Sequence, residues 1–205
     1  MTRIVLVSGS LRRHSLNSAL LATARRVLKE RGATVRTSAL DPRSLPHFDH
    51  DLDVDGGPSP VAAARRLVAA ADGLLISTPS YNGAPPGVLK NALDWLSRPQ
   101  TDSVLVGKPV AVISASPGFH GAAEAQEVLR EVLDCAGATV LAHPALAVAR
   151  ADELPCRGGE LADPALLPPL RSIADALLSA ARPAPAEPAG VSPESRTRGP
   201  ATPAR

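Results

Sequence analysis

Apolar side chains recur along this chain in two rhythms. Ile4-Val5-Leu6-Val7, Leu74-Leu75-Ile76 and Val110-Ala111-Val112-Ile113 are short unbroken apolar runs, each followed by a serine at Ser8, Ser77 or Ser114. A run that is apolar at consecutive positions buries both faces of a strand, as happens in the middle of a parallel sheet. Between these runs the spacing is helical. Leu20, Leu21, Ala24, Val27 and Leu28 predict a helix from Asn17 to about Arg31, with Gly32 at its stop. Similar patterns predict helices over Val61–Ala71 (capped by Ser59), Pro86–Trp95, Ala122–Cys135 and Pro164–Ala181, and strands over Thr34–Leu40 and Thr139–Leu141. Strands alternating with helices specify a doubly wound α/β domain: a five-stranded parallel sheet with helices on both faces, spanning 1–182.

Two segments fall outside this alternation. Asp41 to Pro60 reads as a long loop with an acidic middle. From Pro183 onward there are six prolines in 23 residues and almost no large apolar side chains. Such a segment cannot bury enough surface to offset its ordering entropy, so 183–205 is expected to be a disordered Pro/Ala-rich tail.

Composition narrows the class. Apolar residues make up 44% of the 205 and charged residues 20%, with a formal net charge of +2. That balance gives no electrostatic reason to expect nucleic acid or membrane partners. No stretch approaches the roughly 18 apolar residues of a membrane helix. The run Ile4–Val7 is too short for a secretion signal, so a cytoplasmic protein is expected. Cys135 and Cys156 form no CxxC pair, which argues against a disulfide framework or a zinc site; Cys135 is expected to be a small buried apolar residue.

In an open parallel sheet, ligands bind beyond the carboxyl ends of the strands, at the point where strand order reverses. Three loops leave such ends: Ser8 to Asn17, Thr78 to Ala84, and Ser114 to Gly121. The first offers hydroxyls at Ser10 and Ser15, a guanidinium at Arg12 and an amide at Asn17, and it runs through Leu16 into a helix N-terminus. Short donors, one positive charge and free helical N–H groups are what a phosphate requires. The plainer reading is that Ser15 or Asn17 only caps the helix. No G-x-G-x-x-G follows the first strand, Gly107-Lys108 lacks the rest of a P-loop, and Ser8-Gly9-Ser10 is no nucleophile elbow. A mononucleotide phosphate is the better fit.

Other constellations are weaker. Asp49, Asp51, Asp53, Asp55 and Gly56 mimic a calcium loop, but Ala62 stands where the closing glutamate belongs. The five histidines show no metal-ligand spacing; His120 lies closest to the expected ligand. Of four aromatics, Phe48, Tyr81 and Phe119 lie in loops and Trp95 on a helix, an arrangement suited to stacking a planar ligand.

The second loop makes a specific comparison possible. Tyr81-Asn82-Gly83, then Pro86-Gly87-Val88-Leu89-Lys90-Asn91-Ala92-Leu93-Asp94-Trp95, together with Gly9-Ser10-Leu11-Arg12 and Ser15-x-Asn17, resembles the NADPH-dependent FMN reductase family of flavodoxin-like proteins. Leu45-Pro46-x-Phe48-Asp49-x-Asp51 resembles that family's acidic loop, and the likeness covers roughly residues 3 to 150. The resemblance implies FMN bound noncovalently, its phosphate in the loop of Ser10, Arg12, Ser15, Leu16 and Asn17. Its ring would lie against Pro79, Ser80, Tyr81, Asn82 and Gly83, with Ser114 to Gly121, notably Ser114 and Gly118, as a third wall. Ser80 replaces a glutamate common in relatives, and the third loop has fewer glycines than usual.

A family member would pass hydride from NADPH to FMN and then to a small acceptor in a ping-pong cycle, with no catalytic residue of its own. Free flavin, quinone, azo dye, chromate and molecular oxygen all suit an open site. Preference for NADPH calls for a basic residue at its 2′-phosphate, with Arg12 or Arg13 as candidates. The family also implies a homodimer or tetramer, with the helix of Val88, Leu89, Ala92 and Trp95 at the interface or facing its own core. Two alternatives stay open: a flavodoxin-type electron carrier, which the charge of +2 disfavours, and a flavin-free binding module on the same fold.

Overall fold

Strand β1 (Thr2–Ser8) alternates its apolar side chains between two cores: Ile4 and Leu6 face one, Val5 and Val7 the other. It therefore sits in the interior of the sheet, paired in parallel with β2 (Val35–Leu40) on one side and β3 (Gly73–Ser77) on the other. β3 pairs in turn with β4 (Pro109–Ala115). The computed structural model describes residues 1–32, 34–143 and 145–181; the tail predicted for 183–205 lies outside the described residues.

The fifth strand is not one segment. β5 (Thr139–Val140) and β6 (Leu146–Val148) both pair with β4, at Pro109–Val110 and Ile113–Ala115 respectively. Ile113 pairs with Ser77 on one side and Leu146 on the other, so both pieces lie on the far edge of β4. The predicted Thr139–Leu141 is the first half of an interrupted strand. The order is β2-β1-β3-β4-β5, the flavodoxin-like winding.

Helices cover both faces. α1 (Leu16–Glu30) and α5 (Leu167–Ala180) bury Leu20, Leu28, Ile173 and Leu177 on the face of Ile4, Leu75 and Ile113. α2 (Ser59–Ala69), α3 (Gly87–Leu96) and α4 (Ala123–Cys135) cover the other, with Val61, Leu89, Trp95 and Leu129 against Val5, Ile76 and Val112. The cap expected from Ser59 is not formed. Ser59 is the first helical residue, and Pro58 before it has no side chain able to accept. A small hairpin of β7 (Cys156–Arg157) and β8 (Glu160–Leu161), joined by Gly158-Gly159, was not foreseen; it lies against α1, where Thr23 Oγ1 donates to the Leu161 carbonyl at 3.1 Å.

The acidic loop is pinned rather than free. Trp95 Nε1 and Asn91 Nδ2 both donate to the Pro46 carbonyl, at 2.8 and 2.9 Å, and the Phe48 amide donates to Asn91 Oδ1 at 2.7 Å. Phe48 meets the buried Trp95 edge-on, ring centroids 4.9 Å apart. Arg65 pairs with Asp53 at 2.8 Å and also donates to the Trp95 carbonyl. Two motifs distant in sequence thus hold each other, and Phe48, one of the loop aromatics expected to suit a planar ligand, packs on Trp95 instead.

Candidate functional site

In the pairing register Ser8 stands opposite Ser77, and Ser77 opposite Ile113, so β1 and β3 end at one level and β4 runs two residues further. Gly9 N donates to the Ser77 carbonyl at 2.8 Å and Thr78 N to that of Ile113 at 3.0 Å, extending the pairing by a residue before the loops part. The neighbours of β1 come from opposite directions of winding, which opens a crevice here. A cavity of about 80 Å³ occupies it. The first loop contributes Ser10, Arg12, Ser15, Leu16 and Asn17 to its walls, the second Pro79, Ser80 and Tyr81, the third Ala115, Ser116 and Pro117.

Asn17 is the keystone of this arrangement. Its side chain is 3% exposed. Oδ1 accepts from Ser77 Oγ at 2.8 Å and from the Ala115 amide at 3.0 Å, while Nδ2 donates to the Ala115 carbonyl at 2.9 Å. One amide on α1 therefore ties together the ends of β3 and β4. Asn17 shapes the cavity wall while its side-chain amide is committed to the protein. Ser15 caps α1 through a bond from the Ser18 amide to its Oγ at 3.1 Å, as the plainer reading expected. The first intrahelical bond runs from Ala19 N to the Ser15 carbonyl. The Leu16 and Asn17 amides precede it and have no helical acceptor.

The second loop closes on itself. Tyr81 N donates to the Ala84 carbonyl at 2.9 Å and Ala84 N to that of Tyr81 at 3.2 Å. Between them Asn82 and Gly83 take φ of 55° and 79°, the two-residue turn in which both central residues are left-handed. Asn82 and Gly83 form the exposed tip and lie outside the cavity wall, whereas Tyr81, 52% exposed, stands beside it.

Two predicted residues of the third loop are placed differently. Ser114 is fully buried: its hydroxyl donates to the Gly121 carbonyl and accepts from Gln126 Nε2 at 2.7 Å. It braces the loop from below. Gly118 is exposed and also outside the wall; its neighbours Ser116 and Pro117 line the cavity. Gly121 is the position the loop depends on. Its φ is +59°, and a Cβ there would come within 2.5 Å of the Ala147 backbone. Gln126, 1% exposed on the inner face of α4, was missed; a lone amide among Ala125, Leu129 and Leu133 was the available signal. Cys135, expected to be buried, is exposed.

Another missed residue is Glu124, in the first turn of α4. Its carboxyl is held below the ordinary range, first by a hydrogen bond from the Ser80 hydroxyl, then by its own backbone N–H and by nearby His120. A larger, shallow cavity of about 530 Å³ lies between α3 and α4, lined by Leu93, Arg98, Val106 and Cys135 among others. It is remote from the strand ends, and its size reflects an open cleft.

The crevice suits one ligand group in particular. A cavity of about 80 Å³ has room for a group of phosphate size. Its lining residues include Ser10, Arg12 and the first two residues of α1, whose amides have no helical acceptor, and none of the lining residues is acidic. A flavin ring would extend outward along Pro79–Tyr81. The residues fit a flavin mononucleotide.

Fold and crevice together define a flavodoxin-like protein with a candidate anion cradle at the reversal point of its sheet. The profile of the NADPH-dependent FMN reductase family matches residues 2–153, and the chain belongs to that family. It is 45% identical over 130 residues to a 2-hydroxy-1,4-benzoquinone reductase of Burkholderia sp, covering 63% of this chain and 69% of that protein. A quinone reductase of Escherichia coli K12 is 39% identical over 144 residues, 69% of this chain and 74% of that one. Among solved structures, the flavoenzyme NAD(P)H:(acceptor) oxidoreductase FerB of Paracoccus denitrificans superposes with a TM-score of 0.78 at 31% identity, covering 88% of this chain and 97% of that one. The chain is an oxidoreductase whose cofactors are FMN and NAD(P)H. Among the described residues no helix is long and apolar enough to cross a membrane.

Proposed function

We propose that this chain is an FMN-dependent NAD(P)H oxidoreductase that reduces a quinone or free flavin at one open site, donor and acceptor alternating in a ping-pong cycle. The observation that carries this reading is that Ser10, Arg12 and the first residues of α1, Leu16 and Asn17, line one phosphate-sized cavity. When bound, FMN supplies the two-electron chemistry, accepting hydride from the nicotinamide and delivering it to the acceptor. The protein's part is position. Arg12 and the α1 N-terminus hold the phosphate, and Asn17 sets the distance between the loops that carry phosphate and ring. The Tyr81–Ala84 hairpin presents a rigid edge to the ring. No acid–base pair is required of the chain, because orientation of two bound reactants supplies the rate.

Quinones are the favoured acceptors because quinone reductases are among the closely similar relatives. Reliance on a nicotinamide donor fits a cytoplasmic enzyme. A homodimer completes the reading. α3 buries Leu89, Ala92 and Trp95 in its own core, which leaves the α3–α4 cleft, with exposed Val106 in its wall, as the surface for a second copy. A monomer in sedimentation would remove that part.

The deciding experiment is an anaerobic titration of the FMN-loaded protein with NADPH, followed at the flavin absorbance. Rapid bleaching, reversed by a quinone, is expected. Bound FMN that NADPH leaves yellow would overturn the reductase reading, and failure to retain FMN would overturn the cradle.

A further inference from the structure

We propose that Phe119 and Arg150 form the seat for the adenosine 2′-phosphate end of NADPH, and that this pair sets the preference for NADPH over NADH. The inference rests on the oxidoreductase reading above and adds the residues that select the donor. Phe119 is 76% exposed, a large aromatic ring left in water on the loop whose Ser116 and Pro117 line the phosphate cavity. The Arg150 guanidinium lies over that ring, 4.7 Å from its centroid. Among the described residues Arg150 has no carboxylate partner; the ring is what positions it.

The pair is built on fixed backbone. Ser116 N donates to the Val148 carbonyl at 3.0 Å, Ala151 N to that of Ser116 at 3.0 Å, and Arg150 N to that of Gly118 at 3.3 Å. Gly121 seats the far end of the loop on Ala147, where a side chain has no room. Arg150 itself is held at a left-handed φ of 46°. A flat ring beside a flat guanidinium suits a purine and a phosphate together: the base stacks, and the fork of N–H donors takes two phosphate oxygens. The position is right as well. A nicotinamide placed over the flavin ring must send its adenosine end out along one of the bordering loops. The first loop is taken up with the FMN phosphate, with Arg12 in its wall, whereas the third presents an unpaired cation and an open ring. Arg12 and Arg13 are thereby displaced as the 2′-phosphate residues.

The test uses the full chain loaded with FMN. Wild-type protein should bind 2′,5′-ADP at least about tenfold more tightly than 5′-AMP in calorimetry, the scale of one charge-assisted contact. Arg150→Asn, in which asparagine tolerates the left-handed backbone, should erase that difference. It should lower kcat/KM for NADPH about tenfold while that for NADH stays within about twofold. Phe119→Ala should weaken both nucleotides, and Arg13→Ala should leave the NADPH-to-NADH ratio unchanged. Equal losses for both donors in Arg150→Asn, or no loss, would overturn the seat, as would a ratio that follows Arg13. Unchanged nucleotide affinity in Phe119→Ala removes the ring from it. Arg150-dependent binding of 2′,5′-ADP by a protein that oxidises neither donor would keep the seat and sink the reductase reading. Turnover of NADPH indifferent to Arg150 does the reverse.

Discussion

Two asparagines do the same mechanical work at two places in this molecule, and the difference between them separates scaffold from site. Asn91 joins the acidic loop to α3, exchanging bonds with the Phe48 amide and the Pro46 carbonyl beside the buried Trp95. Asn17 joins the strand ends, exchanging bonds with Ser77 and both backbone groups of Ala115. Each is a side chain with both polar atoms satisfied. The region around Asn91 is closed: an indole, a phenyl ring and the Arg65–Asp53 ion pair fill it. The region around Asn17 is closed on one side only, and on the other its helix presents free amides and Arg12 to a cavity. A recognisable motif therefore marks a place where geometry is fixed, and only the unsatisfied donors nearby tell which fixed place binds something.

That contrast can be broken most strongly at Trp95. Trp95→Ala should lower stability by about 3–5 kcal/mol, the cost of emptying a large core site, read as a fall in the urea midpoint. Folded molecules of this variant should keep their FMN affinity. Next come the asparagines themselves. Asn17→Ala leaves Ser77 Oγ without its acceptor and the Ala115 amide without its own, so a loss of about 2–3 kcal/mol is expected, accompanied by weaker FMN binding. Asn91→Ala should cost about 1–2 kcal/mol, because the Pro46 carbonyl retains the Trp95 N–H, and should leave FMN affinity alone. Equal effects of the two substitutions on FMN affinity would erase the distinction between scaffold and site.

How much of this was legible in the sequence follows from what each residue answers to. β1, β3 and β4 announce themselves because a strand buried on both faces must be apolar at every position. The edge strand carries no such obligation, so its break after Val140 and its resumption at Leu146 left no pattern to read. The two-residue strands of the β7–β8 hairpin are too short for periodicity, and Gly158-Gly159 between them is their one turn signal. In the site, Ser10, Arg12 and Ser15 could be placed by their position after β1. Ser114 could not: as a serine at the end of β4 it looks like Ser8, and only the chain folding back through Gly121 turns it inward. Glu124 and Gln126 belong to a helix whose rotation the apolar pattern gives only approximately, which hides a single polar contact to Ser80 or Ser114.

Arg12 sharpens the comparison from the ligand's side. It is exposed and lies at the cavity wall, so Arg12→Ala should leave the urea midpoint unchanged while weakening FMN by about 1–3 kcal/mol, roughly ten- to a hundredfold in Kd by fluorescence titration. Matching losses in stability would show that the cradle, like the Trp95 region, is scaffold.

The smallest expected effect is at Glu124, where the sign can be worked out. Its carboxyl titrates below the ordinary range in the folded chain because the Ser80 hydroxyl, its own amide and His120 favour the ionised form. A group with a depressed folded pKa adds stability that is fully present above its unfolded value and fades as pH falls through the folded one. The contribution is therefore in place at neutral pH and disappears on acidification. Glu124 is exposed, so solvent screens most of it. Glu124→Gln keeps an acceptor for Ser80 and removes the charge. Its urea midpoint should sit slightly below wild type at pH 7 and converge with it as the pH is lowered past the carboxyl range. A constant offset at every pH would mean that Glu124 packs rather than titrates.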